Sequence, residues 1–138
     1  MSLPSTDDIL EDLDFFDSWE ERYKYIIDLG NSLPSFDTAL QTPERLVKGC
    51  QSNVWLDVDT EDGKLVFAVD SDAIIVKGLL VLVMAAFNHK TPSDILAFDI
   101  DGYFKQLDLE RHISPTRGNG LRSIVARITA IAKSTQSA

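Results

Sequence analysis

Hydrophobic spacing along the chain predicts an order of helices, strands and helices. From Asp7 to Phe16, Ile9, Leu10, Leu13 and Phe16 recur at helical intervals, and Ser18-Trp-Glu-Glu21 has the form of a capping box that starts a second helix. Trp19, Tyr23, Ile26 and Ile27 form its apolar stripe, and Gly30 marks its end. Residues 33–43 hold two prolines and no sustained period, which predicts a connecting loop. Val54, Leu56 and Val58 then alternate with Trp55, Asp57 and Asp59, and Leu65, Phe67 and Val69 alternate with Val66 and Ala68. With Thr60-Glu-Asp-Gly63 between them, these runs predict two antiparallel strands, and a brief third strand is expected near Arg45 to Lys48.

The stretch from Ala73 to about Asn88 is apolar on nearly every side and predicts a central buried helix, capped by Ser71 or Asp72. Gly78 in its middle lowers helix propensity, which suggests close approach to another backbone. Thr91-Pro-Ser-Asp94 opens a short helix to about Phe98, and another is expected around Tyr103 to Leu107. Ser114 to Gly120 is dense in turn residues and reads as a loop. Leu121, Ile124, Val125, Ile128, Ile131 and Ala132 then mark a last amphipathic helix. The order suits an α+β domain over residues 1–138, with helices packed on one face of a small antiparallel sheet of about three strands.

Composition narrows the functional classes. Of the 138 residues, 44% are hydrophobic and 25% charged, a globular balance. The start of the chain lacks a basic flank followed by an apolar stretch, and the longest apolar run is interrupted by Lys77. That run falls short of the ~20 residues that span a bilayer, so a cytoplasmic protein without a membrane partner is expected. The net charge of −9 is concentrated: residues 1–44 hold eleven acids and two bases, whereas residues 111–138 hold five bases and no acid. An acidic end of this size disfavours nucleic acid and reads either as a solvated surface or as a protein-docking face.

The candidate chemistry centres on one thiol. Cys50 is the sole cysteine and lies in Gly49-Cys-Gln-Ser-Asn53, between the loop and the first strand. A lone cysteine makes no internal disulfide, and His89 and His112 stand far apart, so no metal site is expected. A free cysteine is often a small buried hydrophobe. Its polar neighbours and Gly49 instead suggest a loop position open to a partner. Reaction at sulfur requires the thiolate, which a nearby cation favours. Lys48 is close in sequence. Arg117 can approach only through the fold, and an ion pair or a loop anchor is an equal reading for it.

Arg45-Leu-Val-Lys-Gly-Cys-Gln-Ser-Asn-Val-Trp-Leu56 resembles the cysteine motif of the SufE family, sulfur acceptors that serve cysteine desulfurases in iron-sulfur cluster assembly. The resemblance extends in order and spacing through Trp19-Glu-Glu-Arg-Tyr23, Ile26-Ile-Asp-Leu-Gly30 with Leu33-Pro34, and Ser71-Asp-Ala73 with Val76-Lys-Gly-Leu79. It continues through Thr91-Pro92 and His112-Ile-Ser-Pro-Thr-Arg117 to Gly120-Leu121. It implies a fold like that of the cluster scaffold IscU, without that scaffold's extra metal-binding cysteines, so sulfur transfer is favoured over scaffolding. It also implies Cys50 as the acceptor, Arg117 as a polar partner near the sulfur or at the docking surface, and no cofactor on this chain. The implied partners are a SufS-like, pyridoxal-phosphate-dependent cysteine desulfurase, which the protein would stimulate rather than act as a stand-alone enzyme, and a downstream iron-sulfur scaffold. On this reading a loop hinged at Gly49 shelters the sulfur against Trp55 or nearby apolar residues. Two rival classes stand beside it: a cysteine hydrolase with His112 as base and Asp108 or Asp101 as orienter, and an interaction module whose cysteine is inert.

Overall fold

A computed structural model describes residues 4–49 and 52–137. The chain is α+β. Helices α1 (Thr6–Phe15) and α2 (Trp19–Leu29) precede a hairpin of β1 (Val54–Glu61) and β2 (Lys64–Ser71). Four further helices follow: α3 (Ile74–Phe87), α4 (Pro92–Ala97), α5 (Ile100–Leu107) and α6 (Pro115–Ser137).

Local chemistry sets the boundaries. Ser5 and Asp8 form a reciprocal capping box on α1, and the Ser18 hydroxyl accepts from Glu21 N–H at the start of α2. Asp62 and Gly63, with φ of 52° and 77°, supply the left-handed pair of a two-residue turn, which fixes the hairpin register from Glu61↔Lys64 to Val54↔Ser71.

The expected third strand reduces to one bridge, Leu46↔Trp55, with Val47 N–H donating to the Val54 carbonyl at 2.9 Å. Arg45 belongs instead to a 3₁₀ turn, Pro43–Arg45, where its guanidinium bonds Asp57 at 2.9 Å and Thr42 at 3.0 Å. On the other edge of the sheet, the Asn88 amide accepts from Phe67 N–H at 2.7 Å and donates to the Phe67 carbonyl at 3.2 Å. Next to it one backbone bridge, Leu65↔Lys90, continues the same edge, so a side chain and a single bridge stand where a third strand would pair.

The core forms where α3 passes through the middle of the molecule. Leu79 to Met84 are buried without interruption, against Ile9 and Leu13 of α1, Ile26 of α2, Leu65 and Phe67 of β2, and Ile124 and Ile128 of α6. Gly78 meets the expected close approach: a Cβ there would collide with the Ile26 carbonyl of α2. Tyr103 of α5 donates its hydroxyl to the Leu82 carbonyl of α3 at 3.0 Å, and burial pushes its phenol above the usual value, keeping the donor protonated. Among the described residues, no helix is long and apolar enough to cross a membrane.

The last helix starts six residues before the expected Leu121. Ser114 caps it, its hydroxyl accepting from Arg117 N–H at 3.2 Å and its carbonyl from Gly118 N–H at 2.9 Å, while Pro115 takes the first helical position. The turn residues of this segment are therefore the first turns of α6, and Arg117 is helical.

Candidate functional site

Cys50 and Gln51 lie outside the described residues, so the site is read from what flanks them. The chain reaches Gly49 along a braced path. Arg127 of α6 donates to the carbonyls of Glu44 at 3.0 Å and Leu46 at 3.3 Å, clamping the approach to the last helix. Gly49 has φ of 91°, and a Cβ on it would lie 2.5 Å from the Ser123 hydroxyl of α6. The backbone angle is one that favours glycine, and any side chain there would also have to displace the Ser123 hydroxyl. A fixed geometry therefore accounts for this residue, whether or not it also serves as a hinge.

The chain leaves the cysteine along a second set of bonds. Asn53 N–H donates to the Asp72 carboxylate at 3.1 Å, and the Asn53 carbonyl accepts from the Ser71 hydroxyl at 2.8 Å and from Asp72 N–H at 3.3 Å. Ser71 and Asp72, expected to cap α3, thus hold the exit of the thiol segment. The cap position of α3 is Ala73, which makes no side-chain capping bond.

Ser52, two residues after the cysteine, lines a cavity of about 30 Å³ between β1, α3 and α6. Its walls are aliphatic: Val54 from the strand, Val76 and Leu79 from α3, and Leu121 and Ile124 from α6. Thr116, Arg117 and Gly120 complete the lining. Its size suits one or two water-sized groups. Trp55, the sequence-based candidate for shelter, does not line it. Strand alternation turns Trp55 to the face opposite Val54 and Leu56, where it is half-buried.

Arg117 is half-buried, and its Nη1 is buried without a hydrogen-bond partner among the described residues. Nor does Arg117 form an ion pair with any described residue. A buried guanidinium N–H left without an acceptor is costly, so this atom is suited to receive one. Arg117 stands in the third position of α6, where the positive end of the helix adds to its own charge. An anionic group fits such surroundings.

His112 sits elsewhere in this region. Its ring stacks on Trp19 with centroids 4.0 Å apart and planes inclined by 14°, and its Nε2 is 3.4 Å from the Asp108 carboxylate. Of the two orienters in the hydrolase reading, the structure pairs Asp108 with His112. Among the described residues, no group of three or more His, Cys, Asp or Glu is placed to hold a metal ion.

A family model described as SufE, Fe-S metabolism associated domain, matches residues 7–132. The chain belongs to the SufE family. It is 42% identical over 135 residues to an uncharacterised SufE-like protein of Rhizobium meliloti, covering 95% of this chain and 96% of the relative. A second uncharacterised SufE-like protein, from Rhizobium etli, is 43% identical over 135 residues, covering 95% of this chain and 91% of its own length. The fold is also similar to the solution structure of a hypothetical protein from Thermus thermophilus, with a TM-score of 0.78 over the whole of both chains and 21% identity.

The cavity is thus assembled from three places in the sequence: the segment of Ser52 and Val54, α3, and the start of α6. Sequence reasoning missed the aliphatic cavity, the Arg127 clamp and the Ser71–Asp72 latch. The cavity residues were visible only as members of helical and strand stripes, and the clamp joins positions more than eighty residues apart.

Proposed function

We propose that this SufE-family protein accepts sulfur from the persulfide of a pyridoxal-phosphate-dependent cysteine desulfurase onto Cys50 and passes it on for iron-sulfur cluster assembly. The observation that carries the reading is that Arg117, whose buried Nη1 has no hydrogen-bond partner among the described residues, lines the same small, mostly aliphatic cavity as Ser52 of the cysteine motif. Membership of a family associated with Fe-S metabolism supports the same direction.

The transfer is a displacement at sulfur. The Cys50 thiolate attacks the terminal sulfur of the donor's persulfide, forming a new S–S bond as the old one breaks, and the donor cysteine leaves as a thiolate. No net oxidation occurs, so no further oxidant or reductant is needed. Arg117 is suited to stabilise the attacking thiolate before transfer and the persulfide anion after it. Aliphatic walls around the terminal sulfur keep water-borne reductants away until the next acceptor arrives. Removing its persulfide frees the desulfurase for another turnover, which makes the protein an activator.

The test is incubation with a desulfurase, cysteine and pyridoxal phosphate, followed by intact-mass measurement. One added sulfur on the parent protein, mapped to Cys50, and none on Cys50→Ser is expected. The serine variant should also lose stimulation of the desulfurase while keeping the parent's melting temperature within a few degrees. Full stimulation by Cys50→Ser would end the acceptor assignment.

A further inference from the structure

Beside the thiol segment stands a side chain that neither the fold nor the sulfur chemistry uses. Ile74 is the first residue of α3 and is 69% exposed. Helix starts favour Ser, Thr, Asp or Asn, which tie down free N–H groups. Here Ala73 and Ile74 make no side-chain cap, and the isoleucine leaves most of its surface in water. Among the described residues, the other large hydrophobic with such exposure is Phe15, at 83%, on the acidic α1.

Position distinguishes the two. Two residues before Ile74, Asp72 holds Asn53 at the exit of the thiol segment. Two residues after it, Val76 lines the same cavity as Arg117. The exposed residues tied to this turn are Asn53 and Asp72, a single acid, and one turn further along α3 Lys77 pairs with Asp70, so the surface lacks the strong negative charge of the α1–α2 end. An uncharged apolar projection next to a reactive segment is the form of an interface anchor: low in desolvation cost, and dependent on a partner's pocket for burial.

Resting on the acceptor reading above, we infer that Ile74 is the apolar anchor by which the persulfide donor docks. The two sulfurs must come within bonding distance, which brings the donor's surface onto the rim of the thiol segment. Ile74 stands on that rim. The occupant is therefore the desulfurase surface bordering its own persulfide cysteine, presenting an apolar, weakly charged depression to α3. Ile74 acts in recognition and has no part in the displacement itself.

Titrating desulfurase activity with parent protein, Ile74→Ser and Phe15→Ser separates the possibilities. Ile74→Ser is expected to raise the half-saturating acceptor concentration about tenfold with the maximal rate unchanged, and Phe15→Ser to match the parent. Loading of Cys50 from glutathione persulfide, which needs no docking, should be equal in all three. A superimposable Ile74→Ser titration overturns the inference. So does a shift confined to Phe15→Ser, which moves docking to the acidic end, or slowed glutathione persulfide loading in Ile74→Ser, which assigns the residue to the sulfur pocket. If the parent neither gains sulfur nor stimulates the enzyme, the acceptor reading itself fails and the anchor falls with it.

Discussion

Arg117 carries the sharpest consequence at the scale of single residues. Its buried Nη1 has no described partner, so an anionic sulfur in the cavity would satisfy it and gain charge stabilisation in return. On the acceptor reading, Arg117→Ala removes a cation that favours the thiolate, and the Cys50 pKa should rise. The rate of alkylation by neutral iodoacetamide, followed by mass from pH 6 to 9, should then have its midpoint at higher pH and fall severalfold at pH 7. Arg117→Lys should lie between, because it keeps the charge and loses the planar fork. An unchanged pH profile in Arg117→Ala would separate this side chain from the sulfur. Both Cys50 and Arg117 are legible in the sequence as members of a motif. The relation of Arg117 to the cavity is not, because nothing in their spacing shows that α6 begins at Pro115 and turns the guanidinium inward. Ser71 and Asp72 illustrate the opposite error. Their type and place before a helix signal a cap. The Ser71 hydroxyl does accept from Ala73 N–H at the helix entry, but it donates to Asn53, and the Asp72 carboxylate accepts from Asn53 rather than from α3. Local rules rank the partners available nearby; a loop brought back from eighteen residues upstream is invisible to them.

Among the elements, the hairpin shows how a small sheet manages its edges. Alternation and the Asp-Gly turn make both strands legible, since inward positions such as Val54, Leu56, Leu65 and Phe67 have the period of two that a half-buried sheet requires. The third strand is over-read, because Arg45-Leu-Val-Lys48 has strand-like residues but Arg45 is drawn into a turn by Asp57 and Thr42. What completes the sheet beside the Leu65↔Lys90 bridge is Asn88, whose amide pairs with both backbone groups of Phe67, a device a single asparagine after a helix does not announce. Asn88→Ala leaves those groups without their partner at an edge and should cost about 2 kcal/mol in urea unfolding. Asn88→Asp keeps the acceptor for Phe67 N–H and loses the donor, so its stability should fall between parent and alanine variant. An alanine variant as stable as the parent would mean that water serves this edge equally well. The central helix is the most legible element of all. Its hydrophobicity on every side demands burial, and Gly78 correctly marks contact with α2.

The charge pattern acts on the whole molecule. Eleven of the 22 acids fall within the first 44 residues against two bases, and among the described residues none of those carboxylates belongs to an ion pair. Ion pairs seen among the described residues, Arg45–Asp57, Lys77–Asp70 and Arg111–Asp108, are part-exposed and so contribute little each. Folding therefore gathers uncompensated negative charge onto α1 and α2 while gaining little attraction elsewhere. The cost of that repulsion falls as salt shortens the screening length, from about 30 Å at 0.01 M to about 8 Å at 0.15 M. Melting temperature measured in potassium chloride at pH 7 should accordingly rise over this range by a few degrees. A chain with Glu11, Asp14 and Asp17, all exposed, changed to their amides should begin with a higher melting temperature and respond less to salt. A fall in melting temperature with salt in the parent would show that attraction between its acidic and basic ends outweighs repulsion within the acidic one. In that event the positive residues 111–138 would have to be counted as counter-charges to α1 and α2, despite the lack of direct pairs between them among the described residues.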